Sequence, residues 1–294
     1  MTRENHTTCA YFESWDFARN RVCLKRGFTL IELMVVVVIL ALLLAVLIPG
    51  LSSLQSSSRA AKSMSNMRLW GRGIVAYSTE YKGRMPWEGM KTANQMPVNF
   101  QRPEWWANAI PPYVDQISYR DYERAHGGEV PMPPEKSIFI DPSAQAPNQP
   151  YMGGGRNFFF CYVPNAQLDN TYEEQVLERD PQMQQTPWDI RVPLSFISKP
   201  SQSIMMLEIR TAKDELPKSD PWYNENLKRH MSDWQRFAAR HRQGGHMVFA
   251  DGHTAHKRND LATTNAQGTR DPDQPDGNWN KEGFIWDPLG PALH

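Results

Sequence analysis

Cysteine is scarce in this sequence, and a net charge is lacking altogether. The three cysteines, Cys9, Cys23 and Cys161, are too few for a disulfide framework and do not have the spacing of a zinc site. The 32 basic residues balance 32 acidic ones, so no net field draws the chain toward nucleic acid. We therefore predict no structural disulfide, no cysteine-based metal centre and no nucleic-acid partner.

The short motifs that accompany enzyme chemistry are also missing. The sequence contains neither the HExxH pattern of zinc hydrolases nor the GxSxG turn that presents a nucleophilic serine. We therefore expect that the protein is not an enzyme and that it has no catalytic residue and no bound cofactor.

Long apolar runs are absent except for one, near the N-terminus. Residues 33–48 read LMVVVVILALLLAVLI, and extension back to Phe28 adds only Thr29 and Glu32 as polar interruptions. As a helix, the segment 28–48 would span about 31 Å, the hydrocarbon thickness of a bilayer. Pro49-Gly50 closes the run, so we predict one membrane crossing over residues 28–50 and a water-soluble body after it.

The segment before this run is basic. It carries five cations against three acidic residues, and KRG directly precedes the apolar residues. A positive flank favours the cytoplasmic side, which would place the C-terminal body in the periplasm. No small-residue cleavage site follows the run, unlike in a secretory signal peptide. The cations are Arg3, Arg19, Arg21, Lys25 and Arg26.

Residues 25–32, KRGFTLIE, followed by the apolar run, resemble the processing site of type IV prepilins and type II secretion pseudopilins. The resemblance implies that residues 1–27 are a leader, which prepilin peptidase removes by cutting between Gly27 and Phe28. The same peptidase would then methylate the amine of Phe28. The family also implies an α+β, pilin-like fold, in which a long N-terminal helix packs on a C-terminal antiparallel sheet.

Glu32 is the one ionisable residue within the apolar run. A carboxylate inside a membrane helix costs roughly 2.5–3.5 kcal/mol on insertion scales, so it needs a partner or a position near water. The resemblance implies that Glu32, as the fifth residue of the mature chain, pairs with the free amine of Phe28 on a neighbouring subunit. The alternative is a carboxylate close enough to the interface to reach water.

A helical stripe of apolar residues continues beyond the membrane segment. Its spacing predicts an amphipathic periplasmic half-helix over residues 51–82, stopped by Lys82-Gly83. Residues 83–294 would form the globular domain, and 16 of the 23 prolines lie between residues 82 and 200. That density predicts an irregular insertion with short elements. The stripe comprises Leu51, Leu54, Ala61, Met64, Met67, Trp70, Ile74, Tyr77 and Tyr81.

Short strands are predicted at residues 137–140, 157–163 and 203–207, where apolar and β-prone residues cluster. The tryptophans of the body are expected to pack in its core, although a sugar- or partner-binding platform is the alternative.

Residues 244–257 predict a hairpin at the edge of the sheet. Asp251-Gly252 stands between β-prone flanks, as in a type I′ turn, which requires a positive φ at both positions. His241, nine residues and then Asp251-Gly252 are similar to a C-terminal motif of large prepilin-like proteins in planctomycete, verrucomicrobial and lentisphaeral lineages. In that group a Cys-Pro is frequent where this chain has Asp141-Pro142, so Asp141 removes one possible disulfide partner of Cys161.

Two groups of side chains invite a metal interpretation. His241, His246, His253 and His256 lie close to Asp251 in sequence, but we expect that His241 hydrogen-bonds the Asp251 turn and that the other three are solvated. Asp271, Asp273 and Asp276 are dense enough to resemble a calcium loop, yet their spacing is not that of an EF-hand. A solvated turn is favoured there, and calcium stays open.

The sequence as a whole favours a structural subunit held in the inner membrane by a single span. Its partners would be prepilin peptidase and other pilin or pseudopilin subunits in a homo-oligomeric fibre, which would be periplasmic or extracellular after assembly. A secretion pseudopilus, a pilus and an uptake apparatus remain open, as do major and minor subunit roles. The alternative from another class is a membrane-anchored periplasmic binding protein or metal-dependent protein.

Overall fold

The computed structural model describes residues 28–87, 89, 100–147, 150–153, 156–168, 192–197, 199–270 and 279–288. The leader, with Gly27, and the aspartates Asp271, Asp273 and Asp276 lie outside these residues. The chain divides into two compact units, unit 1 with residues 1–51 and unit 2 with residues 52–294.

Unit 1 contributes the first part of helix α1, which extends from Leu30 to Glu80. Its large apolar side chains are exposed on every side of the helix, from 46% at Val36 to 81% at Phe28. A helix that is apolar all round is stable only in a bilayer or among other apolar helices. Among the described residues, α1 is the one helix that is long and apolar enough to cross a membrane, as predicted.

The part of α1 in unit 2 is amphipathic, as its stripe predicted. Met67, Trp70, Ile74 and Tyr77 are buried, whereas the predicted stripe residues Leu54, Ala61 and Tyr81 are exposed. The buried face therefore begins only near residue 63, and it includes polar residues that an apolar pattern does not reveal.

The helix ends where Lys82-Gly83 predicted. Both residues have a positive φ, 57° and 77°. The amide of Gly83 donates to the carbonyl of Ser78 at 2.7 Å. This left-handed ending satisfies a carbonyl that the last helical turn leaves free.

The described strands form two antiparallel sheets. The strands are β1 Tyr151–Gly153, β2 Arg156–Phe158, β3 Tyr162–Pro164, β4 Ile204–Glu208, β5 Gly244–Phe249 and β6 Thr254–Arg258. The larger sheet has the order β3-β4-β5-β6, and a separate hairpin pairs β1 with β2. Strands β4 and β5 are buried along their whole length, and β6 lies at the edge.

This arrangement confirms the α+β, pilin-like architecture with a long N-terminal helix and a C-terminal antiparallel sheet. The strand predicted at 203–207 corresponds to β4. The segment 157–163 holds the end of β2 and the start of β3, separated by three residues outside either strand. The strand predicted at 137–140 is wrong, because the amide of Ile140 donates to the carbonyl of Ser137 in a turn.

The remaining described elements are short, as the proline density predicted. Three short α-helices are α2 Trp106–Ala109, α3 Tyr119–Ala125 and α4 Asn259–Ala262. Single 3₁₀ turns occur at Pro111–Val114, Ala166–Leu168, Leu194–Phe196, Lys213–Glu215 and Trp234–Arg236.

The tryptophans pack in the core, and this confirms the packing interpretation. All eight described tryptophans are at most 5% exposed. Trp70 of α1 lies 5.4 Å from Trp106 and 5.5 Å from Phe139, measured between ring centroids. A second group stacks Trp234 on Trp279 at 4.3 Å. Contacts of this kind add to the free energy of area burial.

The predicted hairpin forms, but its turn differs from the prediction. Gly252 has a φ of 84°, whereas Asp251 does not have a positive φ, so the turn is not type I′. The amide of Gly252 donates to the carbonyl of Phe249 at 2.8 Å, and the amide of Phe249 donates to the carbonyl of His253 at 3.0 Å. This is the longer hairpin loop, in which one glycine takes the left-handed position after the turn.

The tip of the hairpin lies directly against the backbone of α1. A Cβ added to Gly71 would stand 2.6 Å from the carbonyl oxygen of Gly252, and one added to Gly252 would stand 2.8 Å from Val75. Neither glycine can gain a side chain without moving its neighbour. Glycine therefore permits the close approach on both sides of this contact.

Gly71→Ala should lower the free energy of unfolding by about 1–3 kcal/mol, because the added methyl group meets backbone that cannot yield. This loss should appear although alanine favours helices more than glycine does. Urea unfolding of the full chain in detergent micelles measures it. The control, Ser65→Ala on the exposed face of the same helix, should change stability by about 0.5 kcal/mol or less. A Gly71→Ala variant as stable as the wild type would contradict the close contact.

One buried histidine belongs to the core without a polar partner. His230 is 3% exposed, and neither ring nitrogen has a hydrogen-bond partner among the described residues. Burial, together with the nearby Arg229, lowers the pKa of His230 to about 3. The imidazole is therefore neutral in the folded chain at neutral pH.

Acid should destabilise the fold through His230. Between its ordinary pKa of 6.5 and the folded value of about 3, the unfolded chain binds a proton that the folded chain does not. Stability is thus complete above that window and falls as the pH falls through it, by about 2 kcal/mol between pH 6.5 and 5. His230→Leu should reduce the pH dependence of urea unfolding by that amount, while the exposed-site control His253→Leu should not. Equal pH dependence in wild type and His230→Leu would refute this expectation.

Candidate functional site

The start of α1 carries the residues predicted for processing and assembly. Phe28 is exposed, and Glu32 turns back to Thr29: its Oε2 accepts from the Thr29 amide at 2.9 Å and from the Thr29 hydroxyl at 2.8 Å. The amide of Glu32 donates to Thr29 Oγ1 at 3.3 Å. These reciprocal bonds are a capping box, which satisfies free amides at a helix start.

The capping box was not predicted, although it has a sequence signal. The spacing T-x-x-E in residues 29–32 is its ordinary signal. Glu32 consequently has a local role in starting the helix, separate from any pairing with another subunit.

Unit 2 contains a second polar site, completely buried between α1 and the sheet. We call it the buried cluster and define it as Ser63, Asp141, Glu208, Arg240, His241 and His246. Its charged and imidazole side chains are at most 6% exposed. The members come from α1, from the loop after residue 140, from β4, from the segment leading into β5 and from β5 itself.

Glu208, the last residue of β4, has no exposed surface. Its Oε1 lies 2.8 Å from His246 Nδ1, and its Oε2 accepts from the His246 amide at 3.0 Å. The hydroxyl of Ser63 donates to the same carboxylate. The last strand residue of β4 is thus joined both to α1 and to β5.

Asp141 is the other fully buried carboxylate. Its Oδ2 lies 2.7 Å from His241 Nε2 and 3.0 Å from Arg240 Nε. Its Oδ1 accepts from the Ser143 amide at 2.6 Å. Burial alone would raise the pKa of Asp141, but Arg240 and His241 outweigh it and hold that pKa well below its usual range.

Arg240 connects this site to a third carboxylate. Its Nη1 lies 2.8 Å from Glu215 Oε1, and its Nη2 donates to the carbonyl of Ile209 at 2.8 Å. Although burial lowers the pKa of Arg240, Glu215 and Asp141 raise it well above its usual value. Burial likewise lowers the pKa of His241, but the hydrogen bond to Asp141 and the charge of Glu208 leave it raised.

Three ligand atoms in the buried cluster are close enough to share one metal ion. One oxygen of Glu208 and one ring nitrogen each from His241 and His246 all lie within 4.8 Å of one another. The Oδ2 atom of Asp141 borders the same space through His241.

An open groove on the surface of unit 2 borders the buried cluster at Asp141. Its volume is about 610 Å³, and it lies between α1 and the loop 133–144. Asp141 and Asn66 contribute to its inner wall, and Arg59, Lys62 and Lys136 contribute cations.

The structure corrects the predicted roles of the histidines. His241 does not bond the Asp251 turn, because its ring nitrogen contacts Asp141 while Asp251 lies at the far end of β5 and contacts His253 at 2.6 Å. His246 is buried rather than solvated, and His256 is half-buried, with its Nε2 2.7 Å from the carbonyl oxygen of His241. Only His253 is exposed as predicted.

Four members of the buried cluster were missed by the sequence analysis as site residues: Ser63, Glu208, Arg240 and Asp141, the last noted only as a departure from Cys-Pro. Glu208 is 145 residues from Ser63 and 38 from His246, so no local spacing joins them.

Cys161 is a buried free thiol, and burial raises its pKa. Its amide donates to the carbonyl of Phe139 at 3.1 Å.

One family model matches the chain: the prokaryotic N-terminal methylation motif, over residues 24–48. That range contains the predicted processing residues Gly27 and Phe28 and the apolar segment of α1. It implies processing by prepilin peptidase, as in pilins and pseudopilins. No curated protein and no solved structure matches the chain at a significant level.

Removing the one guanidinium of the buried cluster should be costly. Arg240→Met leaves Asp141 and Glu215 without their ion pair, and we expect a loss of about 3–5 kcal/mol in the free energy of unfolding, since two charges stay buried. Arg258→Met is the matched control, because Arg258 pairs with Asp260 at an exposed site and should matter little. Thermal or urea unfolding of the full chain in micelles compares the two. Equal losses would mean that the buried ion pair has no special weight.

Proposed function

We propose that this protein is a pilin-like structural subunit. Prepilin peptidase cuts it after Gly27 and methylates Phe28, and the mature chain assembles into a fibre of a type II secretion or type IV pilus-like system. The observation that carries the proposal is the methylation motif over residues 24–48, which coincides with a helix whose apolar side chains are exposed all round.

Each part of the chain has its own role in the proposed function. Residues 1–27 are the leader, residues 28–50 the transmembrane half-helix, residues 51–82 the periplasmic half-helix and residues 83–294 the globular domain. The basic flank before Phe28 stays in the cytoplasm, which places unit 2 in the periplasm until the fibre forms. Exposed apolar side chains then exchange lipid for the helices of neighbouring subunits.

Glu32 supplies the specific contact in this assembly. After the cut, the free amine of Phe28 is a cation, and the carboxylate of Glu32 on a neighbouring subunit neutralises it in a low-dielectric surrounding. A subunit in the wrong register would leave both charges unpaired. The capping box with Thr29 holds the helix start in which this carboxylate lies.

Processing is tested by co-expressing the full chain with an active prepilin peptidase, and with an inactive peptidase as the control. The expected product begins at Phe28 and carries one methyl group on its amine, as read by intact mass and by the N-terminal peptide. Gly27→Leu should block the cut, because a side chain at this position hinders access to the bond. A chain that still begins at Met1 with the active peptidase would overturn the proposal.

The charge of Glu32 can be separated from its cap. Glu32→Gln keeps the capping box, since glutamine serves equally at that position, but it removes the charge. We expect both Glu32→Gln and Glu32→Ala to insert and be processed yet to be lost from the fibre fraction, by tenfold or more. Glu80→Gln, at the exposed end of the same helix, should assemble normally. If Glu32→Gln assembles and Glu32→Ala does not, Glu32 acts only as a cap.

A further inference from the structure

We propose that the buried cluster of unit 2 binds one divalent transition-metal ion of the zinc class, with Asp141, Glu208, His241 and His246 as its ligands. This site is independent of the fibre role, since it lies outside residues 24–48 and needs no second subunit.

The charges of the site call for a cation. Among the described residues, Arg240 is the one guanidinium in contact with the carboxylates of the site, and it pairs with Asp141 and Glu215. Glu208 Oε1 lies beside both imidazoles, 2.8 Å from His246 Nδ1 and 3.9 Å from His241 Nε2. With neutral imidazoles, which is the form that ligates metals, three carboxylates face one cation and the site holds an excess of two negative charges. In that form the excess negative charge would be expensive in the interior of a protein, and one divalent ion balances it.

The ligand atoms stand at separations suited to a tetrahedral ion. Zinc takes oxygen and nitrogen ligands at about 2.0–2.2 Å, which places neighbouring ligand atoms about 3.3–3.5 Å apart. The His241 nitrogen is 2.7 Å from Asp141 Oδ2 and 3.9 Å from Glu208 Oε1, and the His246 nitrogen is 2.8 Å from Glu208 Oε1. These three distances bracket the required value, and the ligand atoms of Glu208, His241 and His246 all lie within 4.8 Å of one another.

Hydrogen bonds from groups that are not metal ligands also orient the two carboxylates. Asp141 accepts from Arg240 and from the Ser143 amide, while Glu208 accepts from Ser63 and from the His246 amide. Such outer hydrogen bonds fix ligand orientation and raise metal affinity. The groove of about 610 Å³ includes Asp141 in its wall and therefore borders the site on one side.

The donor set selects the kind of ion. Two imidazoles with two carboxylates suit zinc, copper, nickel or iron and disfavour calcium and magnesium, which prefer oxygen ligands alone. Four protein ligands leave no open position, so the ion is structural rather than catalytic. It would join the loop at residue 141, the end of β4 and the start of β5.

The experiment uses the full chain, purified in micelles without a histidine tag, stripped with a chelator and loaded with Zn²⁺. Elemental analysis should find about one zinc per chain after desalting, and zinc should raise the thermal midpoint of unfolding. Loading with Co²⁺ instead should give the intense visible bands of a tetrahedral site. His246→Ala and Glu208→Gln should lose at least nine tenths of the bound metal, while the exposed-site control His253→Ala retains it.

Other outcomes would overturn the proposal. Wild-type chain with neither bound zinc nor tetrahedral cobalt bands contradicts it without reference to any variant, so a variant that fails to fold does not spoil the test. Metal that survives His246→Ala in a folded chain, or that is lost in His253→Ala, places the ion elsewhere. A shift of the thermal midpoint by Ca²⁺ but not by Zn²⁺ would also refute the zinc assignment. None of these results bears on cleavage at Gly27, which is measured separately.

Discussion

The carboxylates of Asp141 and Glu208 are fully buried within unit 2. Each therefore needs hydrogen-bond donors or positive charges beside it. A buried charge with one partner removed costs several kcal/mol, so the donors around it have little freedom of position. Ser63 contacts both carboxylates, and it thereby sets where α1 lies along the sheet. The same requirement fixes β5 against β4, because the amide and ring of His246 both point at Glu208.

The spacing between His241 and Asp251-Gly252 follows from the two ends of one strand. The start of β5 supplies the imidazole that faces Glu208, while the loop after β5 places Gly252 against Gly71 of α1. The six residues of β5 extend over about 20 Å in strand geometry. One end of β5 is therefore held to Glu208 of β4 by polar contacts, and the loop at the other end lies close to the backbone of α1. A hydrogen bond between His241 and Asp251 would require these two ends to meet.

Local sequence patterns predicted most helices and strands that were proposed, whereas features that depend on long-range contacts were missed. The apolar run, the helix stop at Gly83, the strand β4 and the hairpin each depend on neighbours in sequence, and all were predicted. The segment 137–140 failed as a strand because its apolar residues are buried in a turn. The buried cluster could not be predicted from local patterns, because its members are far apart in sequence. Ser63 is 78 residues from Asp141 and 145 residues from Glu208. His246 was wrongly predicted to be solvated. A strand is buried on both faces only when other elements pack above and below the sheet, and a local pattern does not reveal that packing.

The two units differ in where their side chains find contacts, and this difference is relevant to the proposed function. Within unit 2, aromatic rings, glycine contacts and buried carboxylates find their partners in the same unit. In unit 1, the described apolar side chains remain exposed around the whole helix, and Thr29 and Glu32 form a cap at its start. Free energy from burial is thus still to be gained along residues 28–48, and only a bilayer or neighbouring helices can provide it. A segment with this surplus, at the position of a methylation motif, is what the proposed role as a pilin-like subunit requires.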